Sequence, residues 1–312
     1  MLNKLVQGRL GNQMFQYAAM RAIQEKYYKD EKINFDFSKV RKLGRKEDGF
    51  DNQLNLFSLN YDKIEFDKKI RINLIQKIIF LCYFISYKII KIFSNVSNYE
   101  KNKEKFEKKL QKFYNKKGLY LYTYGYYDFK KSNNKNKLFV GYYESSKYFN
   151  CIKEKIIKEF TPKKERLEKN EKLYNIIENT NSVCISIRRG DFLSKEHKKD
   201  CFVCDNQYFE NAIKEIENHI KNPKYIVFSD DIEWVKKNMK FIKNCEYEDG
   251  TDPVWEKLRL MYSCKHFIIS NSTFSWWAQY LSRNDNKIVI APKKWRNNNY
   301  NNDIYEENWI LV

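Results

Sequence analysis

The sequence predicts an α/β protein of two domains, the second built on a parallel sheet with helices on both faces. Three observations carry that prediction. From residue 182 onward, apolar strand-like runs alternate with helix-length amphipathic stretches. The chain is 312 residues long, enough for two domains of ordinary size. Hydrophobic residues make up 42% and aromatic residues 17%, which excludes a disordered chain.

In chain order, "LNKLVQGRLGNQ" reads as a short strand entering a glycine-rich turn, and "MFQYAAMRAIQEKYY" as the helix that follows. "KINFDF" is a second strand. Ile72 to Phe93 is the most apolar segment, but Lys77, Lys88 and Lys91 interrupt it, and its unbroken core is far short of the roughly 20 residues of a membrane span. It is expected to be a buried helix, with a basic amphipathic helix lying on an anionic membrane surface as the alternative. Tyr99 to Lys117, crowded with Lys and Glu, reads as an exposed helix with internal ion pairs. "LFVGYYESSKYF" gives strand, turn and helix start. Composition then turns charged at "EFTPKKERLEKNEKL", which sets expected domains of 1–163 and 164–312. Beyond it, "SVCISI", "KYIVFSDD", "KHFIISNS" and "KIVIAP" are strands. "DNQYFENAIKEIENHI", "IEWVKKNM", "VWEKLRLMYSC" and "TFSWWAQYLS" are helices, the first with Asp205 or Asn206 as its cap.

The charge of +19, from 59 basic and 40 acidic residues, points in general to an anionic partner. The excess is dispersed Lys among many Asn, Ile and Tyr, as solvated faces also give, and no basic-aromatic module accompanies it, so nucleic acid is not expected. Seven irregularly spaced cysteines describe no disulfide framework. Cys201 and Cys204 form one isolated CxxC, and with three histidines in the chain zinc is not expected. The N-terminus is too polar for a signal peptide. A cytoplasmic location follows, with peripheral membrane contact through Ile72 to Phe93 as its variant.

In parallel sheets, ligands bind beyond the carboxyl ends of the strands. Those ends are Arg188 to Asp191, Ser229 to Asp231, and Ser270 to Ser275. Arg188 and Arg189 offer planar N–H forks suited to phosphate oxygens, and Gly190 keeps the backbone open. Ser270, Ser272, Thr273 and Ser275 stand at a helix N-terminus, where amides and the dipole favour an anion. Together they describe a nucleotide diphosphate site. The plainer alternative is a salt bridge from the arginines to Asp191 or to a domain-closing carboxylate, and ordinary helix capping by the serines.

"GRLGNQMFQYA", "SIRRGDF" and "NSTFSWWAQYL", in this order, resemble the bacterial α-1,2-fucosyltransferases of glycosyltransferase family eleven; "GYYESSKYF", "FSDD" and "PKKW" fit the same pattern. The resemblance runs from residue 4 to about residue 296. It implies a GT-B-like fold of two Rossmann-type domains facing a central cleft, with an N-terminal acceptor side and a C-terminal donor side. It also implies transfer of L-fucose from GDP-fucose to a galactose hydroxyl of an oligosaccharide or surface polysaccharide, in α-1,2 linkage, with inversion and without a metal. No cofactor is expected beyond the donor, and the chain has no DxD triplet for holding a divalent ion.

Carried onto this sequence, the resemblance makes Arg188 the β-phosphate ligand, with Arg189 beside it. Ser186 stands where the family pattern usually has histidine, so no cationic role is available there. Thr273 and Ser275, with Ser272, resemble the diphosphate-holding positions, and Asp230 or Asp231 shapes the nucleotide pocket. Gly8, Gly11, Asn12 and Gln13 form the cleft turn near the acceptor, or a purely structural βα turn. Trp276 and Trp277 are expected in the core, with sugar contact as the alternative. Asp191 is the first candidate for a general base, although pairing with an arginine weakens it as a base and fits a positioning role equally well.

Rival expectations are another linkage or acceptor on the same fold, and a non-enzymatic polyanion-binding protein. The sequence leaves the oligomeric state open.

Overall fold

A computed structural model describes residues 1–44, 49–95, 98–123, 125–195, 197–298 and 303–312. The chain divides into two compact units, Met1–Glu159 with Asn298–Tyr305, and Phe160–Asn297 with Glu306–Val312. The division between 159 and 160 falls at the start of the charged stretch. The return of 298–305 to the first unit departs from two contiguous halves. Asp303 anchors it there by accepting from the Tyr126 amide at 3.0 Å and pairing with Lys147 at 2.7 Å.

Within the first unit the described strands are β1 (Leu2–Leu5), β2 (Ile33–Asp36), β3 (Ile64–Phe66), β4 (Leu119–Leu121) and β5 (Lys137–Val140). They form a parallel sheet in the order β3-β2-β1-β5-β4. Helix α1 (Leu10–Tyr27) is buried along most of its length because Ala18, Ala19 and Ala22 let it lie close to its neighbours. Helix α2 (Ser38–Gly44) follows β2.

The two long helices of this unit correct two expectations. Ile72 to Phe93, expected to be buried, forms α3 (Leu74–Phe93), in which only Gln76 and Tyr83 are buried. One face packs against Tyr114, Leu119 and Leu121, while the remaining apolar residues point to solvent. The segment is apolar all round, and hydrophobicity alone does not say which face is covered. Helix α4 (Tyr99–Lys116), expected to be exposed, carries the predicted ion pairs Glu100–Lys103 and Glu104–Lys108 but buries Glu107, Gln111 and Tyr114. Tyr83, Tyr87 and Thr123 satisfy the Glu107 carboxylate, which ties α3 and α4 to the end of β4. Helix α5 (Lys153–Glu159) closes the unit, Glu159 accepting from Tyr17 at 2.7 Å and from Arg21 of α1.

Within the second unit, β6 (Asn181–Ile187), β7 (Pro223–Ser229), β8 (Cys245–Tyr247), β9 (His266–Ile269), β10 (Val289–Ala291) and β11 (Ile310–Leu311) form a second parallel sheet, ordered β11-β10-β9-β6-β7-β8. Its helices are α6 (Glu171–Asn179), α7 (Lys198–Cys201), α8 (Asn206–His219), α9 (Ile232–Asn238), α10 (Val254–Ser263) and α11 (Thr273–Leu281). Asp205 caps α8, Asp231 caps α9 and Ser272 caps α11, each side chain accepting from a first-turn amide. Trp276 and Trp277 are fully buried, one stacked on Tyr280 and the other edge-on to Phe160. They are core residues, and truncating either would cost about 3–5 kcal/mol.

Candidate functional site

In the first sheet the chain runs outward from β1 through β2 to β3 and then inward from the far edge at β4 to β5, whereas in the second it proceeds outward in two directions from a central pair of strands. Such a switch point opens a crevice beyond the carboxyl ends of the pair. The pair is β6 and β9. Arg188 follows β6 and Ser270 follows β9 directly, so register alone gathers the arginines and the serine-rich helix start at one crevice.

The arginine loop is held by carboxylates. Arg188 donates from Nε and Nη2 to Oδ1 of Asp191 at 3.1 and 2.6 Å, and its Nη1 lies 2.9 Å from Oδ2 of Asp230. The Arg189 amide donates to Oδ1 of Asp230 at 2.9 Å, and its Nε approaches Asp231 at 3.4 Å. A Cβ on Gly190 would sit 2.5 Å from Oδ2 of Asp230, so glycine is what lets that carboxylate come under the loop. The Arg189 guanidinium lies over the Trp234 ring, 3.1 Å from its centroid. Two guanidinium groups therefore meet three carboxylates. The Arg188 side chain is 28% exposed against 14% for Arg189, and this makes Arg188 the arginine a ligand reaches first. Asp230 and Asp231, expected to shape a nucleotide pocket, brace the arginine loop and cap α9.

On the β9 side, Ser270 donates its amide to the Ser186 carbonyl at 3.2 Å. The Ser275 hydroxyl lies 2.6 Å from that of Ser186 and 3.3 Å from that of Ser270. Ser186, in the position usually held by histidine, is thus part of a hydroxyl cluster that joins β6 to α11. Ser275, expected to hold the diphosphate, is buried in that cluster with its hydroxyl beside those of Ser186 and Ser270. Ser272 accepts from the Phe274 amide at 3.3 Å, and Thr273, half-buried, begins the helix. These two are the residues of this stretch nearest the open end of α11, where first-turn amides favour an anion.

Asn271 is a site residue the sequence reading missed. Its Nδ2 donates to the carbonyls of Cys201 and Trp295 at 2.8 and 2.9 Å, and the Cys204 thiol lies 3.6 Å from its Oδ1. The CxxC pair therefore serves to hold the turn before α11. Burial pushes the Cys204 thiol up to about 12, so it stays protonated. All seven cysteines are free. One group of acidic residues among those described has metal-binding spacing, Glu248, Asp249 and Asp252 after β8. Lys257 lies 3.1 Å from Glu248 and Lys169 lies 2.8 Å from Asp252, while Glu248 also accepts from the Gly250 amide. That cluster braces a loop.

The carboxyl end of the first sheet is built from amides. Gly8 has φ of +76°, and a Cβ there would lie 2.4 Å from the Asn12 side chain. Gln13 is fully buried; its Nε2 donates to the carbonyls of Gly8 and Asp51 at 3.0 and 2.8 Å, and its Oε1 accepts from the Gln53 amide. Gln16 clasps Gln7 in both directions and the Asn12 carbonyl. Gly11 is buried within α1. Gln13, expected near the acceptor, has its amide committed to the turn. Beyond β5, Tyr143 holds φ of +57°, a sparsely populated conformation for a bulky residue, and donates to the Tyr120 carbonyl at 2.9 Å. Lys4 is buried beside it, donating to the carbonyls of Leu5 and Gly141 at 2.7 and 2.8 Å. Burial, with Lys39 nearby, holds the Lys4 ammonium well below the ordinary lysine range. Tyr143 lies in "GYYESSKYF", and the signal that marks it is conformational.

A model of glycosyl transferase family 11 matches residues 1–312. An alpha-1,2-colitosyltransferase of Escherichia coli is 36% identical over 187 residues, covering 56% of this chain and 62% of that protein. The O-antigen biosynthesis glycosyltransferase WbnK of Escherichia coli is 30% identical over 97% of both chains. The galactoside 2-alpha-L-fucosyltransferase Sec1 of Mus musculus is 27% identical over 47% of this chain and 42% of its own. Among solved structures, the fucosyltransferase NodZ from Bradyrhizobium aligns with a TM-score of 0.50 at 11% identity, over 89% of this chain and 91% of that one. That likeness shows the fold alone, two parallel-sheet α/β units of the GT-B type.

Proposed function

The chain belongs to glycosyl transferase family 11, and on that premise we propose that it moves L-fucose from GDP-fucose to a galactose hydroxyl of a glycan, in α-1,2 linkage. The observation that carries the reading is the meeting of Arg188, Arg189 and the start of α11 at the β6/β9 switch point. Relatives named as galactoside fucosyltransferases add to it.

In this reading the diphosphate exchanges with Asp191 and Asp230 for the N–H groups of Arg188, while Arg189 stays on Trp234. Negative charge gathers on the leaving GDP as the bond to the anomeric carbon breaks. Preoriented guanidinium groups stabilise that charge more in the transition state than in the ground state. The acceptor hydroxyl attacks from the opposite face, which inverts the anomeric centre. Asp191 is the first candidate to take its proton. Because its Oδ1 accepts twice from Arg188, holding that arginine in place until the diphosphate takes over its N–H groups is the role its contacts favour. Arginine takes the place of a metal in this reading, which fits a chain with no DxD triplet. EDTA should accordingly leave activity unchanged, and a loss restored by Mg²⁺ would overturn the metal-free mechanism.

A second donor is favoured by one finding, the 36% identity to an alpha-1,2-colitosyltransferase. The deciding experiment offers purified protein GDP-fucose or GDP-colitose with galactose-terminated acceptors and identifies products by NMR. An α-1,2-fucosylated product with the first donor alone supports the proposal. Turnover with GDP-colitose alone reassigns the donor, another linkage reassigns the regiochemistry, and no turnover with no GDP binding removes the activity altogether.

A further inference from the structure

The outward face of α3 is apolar along its whole length. Gln76, Tyr83 and the half-buried Ile79, Phe80 and Tyr87 pack inward at helical spacing. Leu74, Ile78, Leu81, Ile85, Ile89 and Ile92 fall on the other side, each between 47% and 76% exposed. At 100° per residue, Lys77, Lys88 and Lys91 line one border of that stripe, and all three are exposed. An exposed apolar stripe this long is a docking surface, since isolated apolar side chains are what solvated faces ordinarily carry.

Charge selects the occupant. Residues 68–117 hold fourteen Lys and Arg against three Glu, a net of +11 out of +19 for the whole chain. Two copies meeting through this face would bring those charges together, whereas an anionic surface neutralises them. Among the described residues no helix is long and apolar enough to cross a membrane. A basic helix of 20 residues whose inward side is covered by the protein and whose outward side is apolar lies in the plane of the interface.

We propose that α3 docks the protein on an anionic lipid bilayer. The apolar stripe enters the boundary between headgroups and acyl chains. Lys77, Lys88 and Lys91 lie against the lipid phosphates. This assignment is independent of donor and acceptor.

Vesicle flotation tests it, with vesicles of phosphatidylcholine alone or with about 30% phosphatidylglycerol. The full chain should float with the anionic vesicles, at least about tenfold less with the neutral ones, and less as salt rises. Leu81→Glu with Ile85→Glu changes two exposed positions, so circular dichroism should be unchanged while flotation falls at least about tenfold. Lys77→Glu with Lys88→Glu should weaken binding to anionic vesicles only. A wild-type protein that floats with neither vesicle overturns the proposal, as does an apolar-face variant that still floats normally. A dimer that light scattering detects, and that the apolar-face variant dissolves, gives the stripe to a second copy instead.

Discussion

After β1 the chain turns at Gly8 on neutral amides, and after β6 it turns at Gly190 on charges, although both turns leave a central strand of a parallel sheet. In the first, Gln13 and Gln16 satisfy backbone groups of Gln7, Gly8, Asn12, Asp51 and Gln53. In the second, Arg188 and Arg189 are satisfied by Asp191, Asp230 and Asp231. An amide clasp on part-buried backbone is broken only at a cost, which holds the first turn. A guanidinium can trade one oxyanion for another with its donors still satisfied, so the second turn is made for exchange. Side-chain chemistry separates the two turns, and the proposal gives binding to the charged one and a structural role to the amide one.

Four substitutions press on that contrast. The largest effect belongs to Arg188→Ala, which should lower kcat/KM by roughly 10²–10³ with an unchanged circular dichroism spectrum. Near-normal turnover would make the second turn as structural as the first.

A smaller effect tests whether charge in the first unit behaves differently. Burial raises the Glu107 carboxyl to about 7 from its ordinary 4.5, against the opposing pull of hydrogen bonds from Thr123 and Tyr83. With the folded value above the unfolded one, its contribution is fully present below about 4.5 and is lost as pH rises to about 7. Urea unfolding should show at most about 3 kcal/mol of decline across that window. Glu107→Gln should flatten the decline, and an identical slope in the variant would show that other groups carry it.

Gln13→Leu should cost about 1–3 kcal/mol by removing the partner of two part-buried carbonyls and of the Gln53 amide. The KM for donor should hardly move, because the residue acts on the turn and not on the diphosphate. A large rise in KM with unchanged stability would reverse the contrast. The smallest change expected is for Arg189→Lys, a several-fold loss of activity as the planar contact with Trp234 goes. A loss as deep as that of Arg188→Ala would make the two arginines equal partners.

Much of this was legible in the residues, and physical reasons separate what was from what was not. "SVCISI", "KYIVF" and "KHFII" are unbroken apolar runs because their strands are covered on both faces, and each is a strand of the second sheet. The edge strands β8 and β11, and β3 and β4 of the first sheet, are two or three residues long and leave no period to read. Helix α3 was legible as a helix, but its covered face was not, since isoleucines and leucines occupy nearly every side of it. The pairing of Arg188 with Asp191 lies within three residues and could be anticipated. The contacts of Arg189 with Asp230 and Trp234 cross from one strand end to the next, and strand register creates them. The hydroxyl cluster of Ser186, Ser270 and Ser275 has the same origin.

The most direct test of the central claim is GDP binding by wild type and Arg188→Ala, followed as the thermal shift at low and physiological salt. If the turn after β6 is the diphosphate site, GDP stabilises the wild type at both salt concentrations, and the variant loses most of that shift while keeping its own melting temperature. An equal GDP shift in the two proteins, or one that vanishes with salt in the wild type, would contradict the assignment and leave the arginine loop a structural ion-pair network.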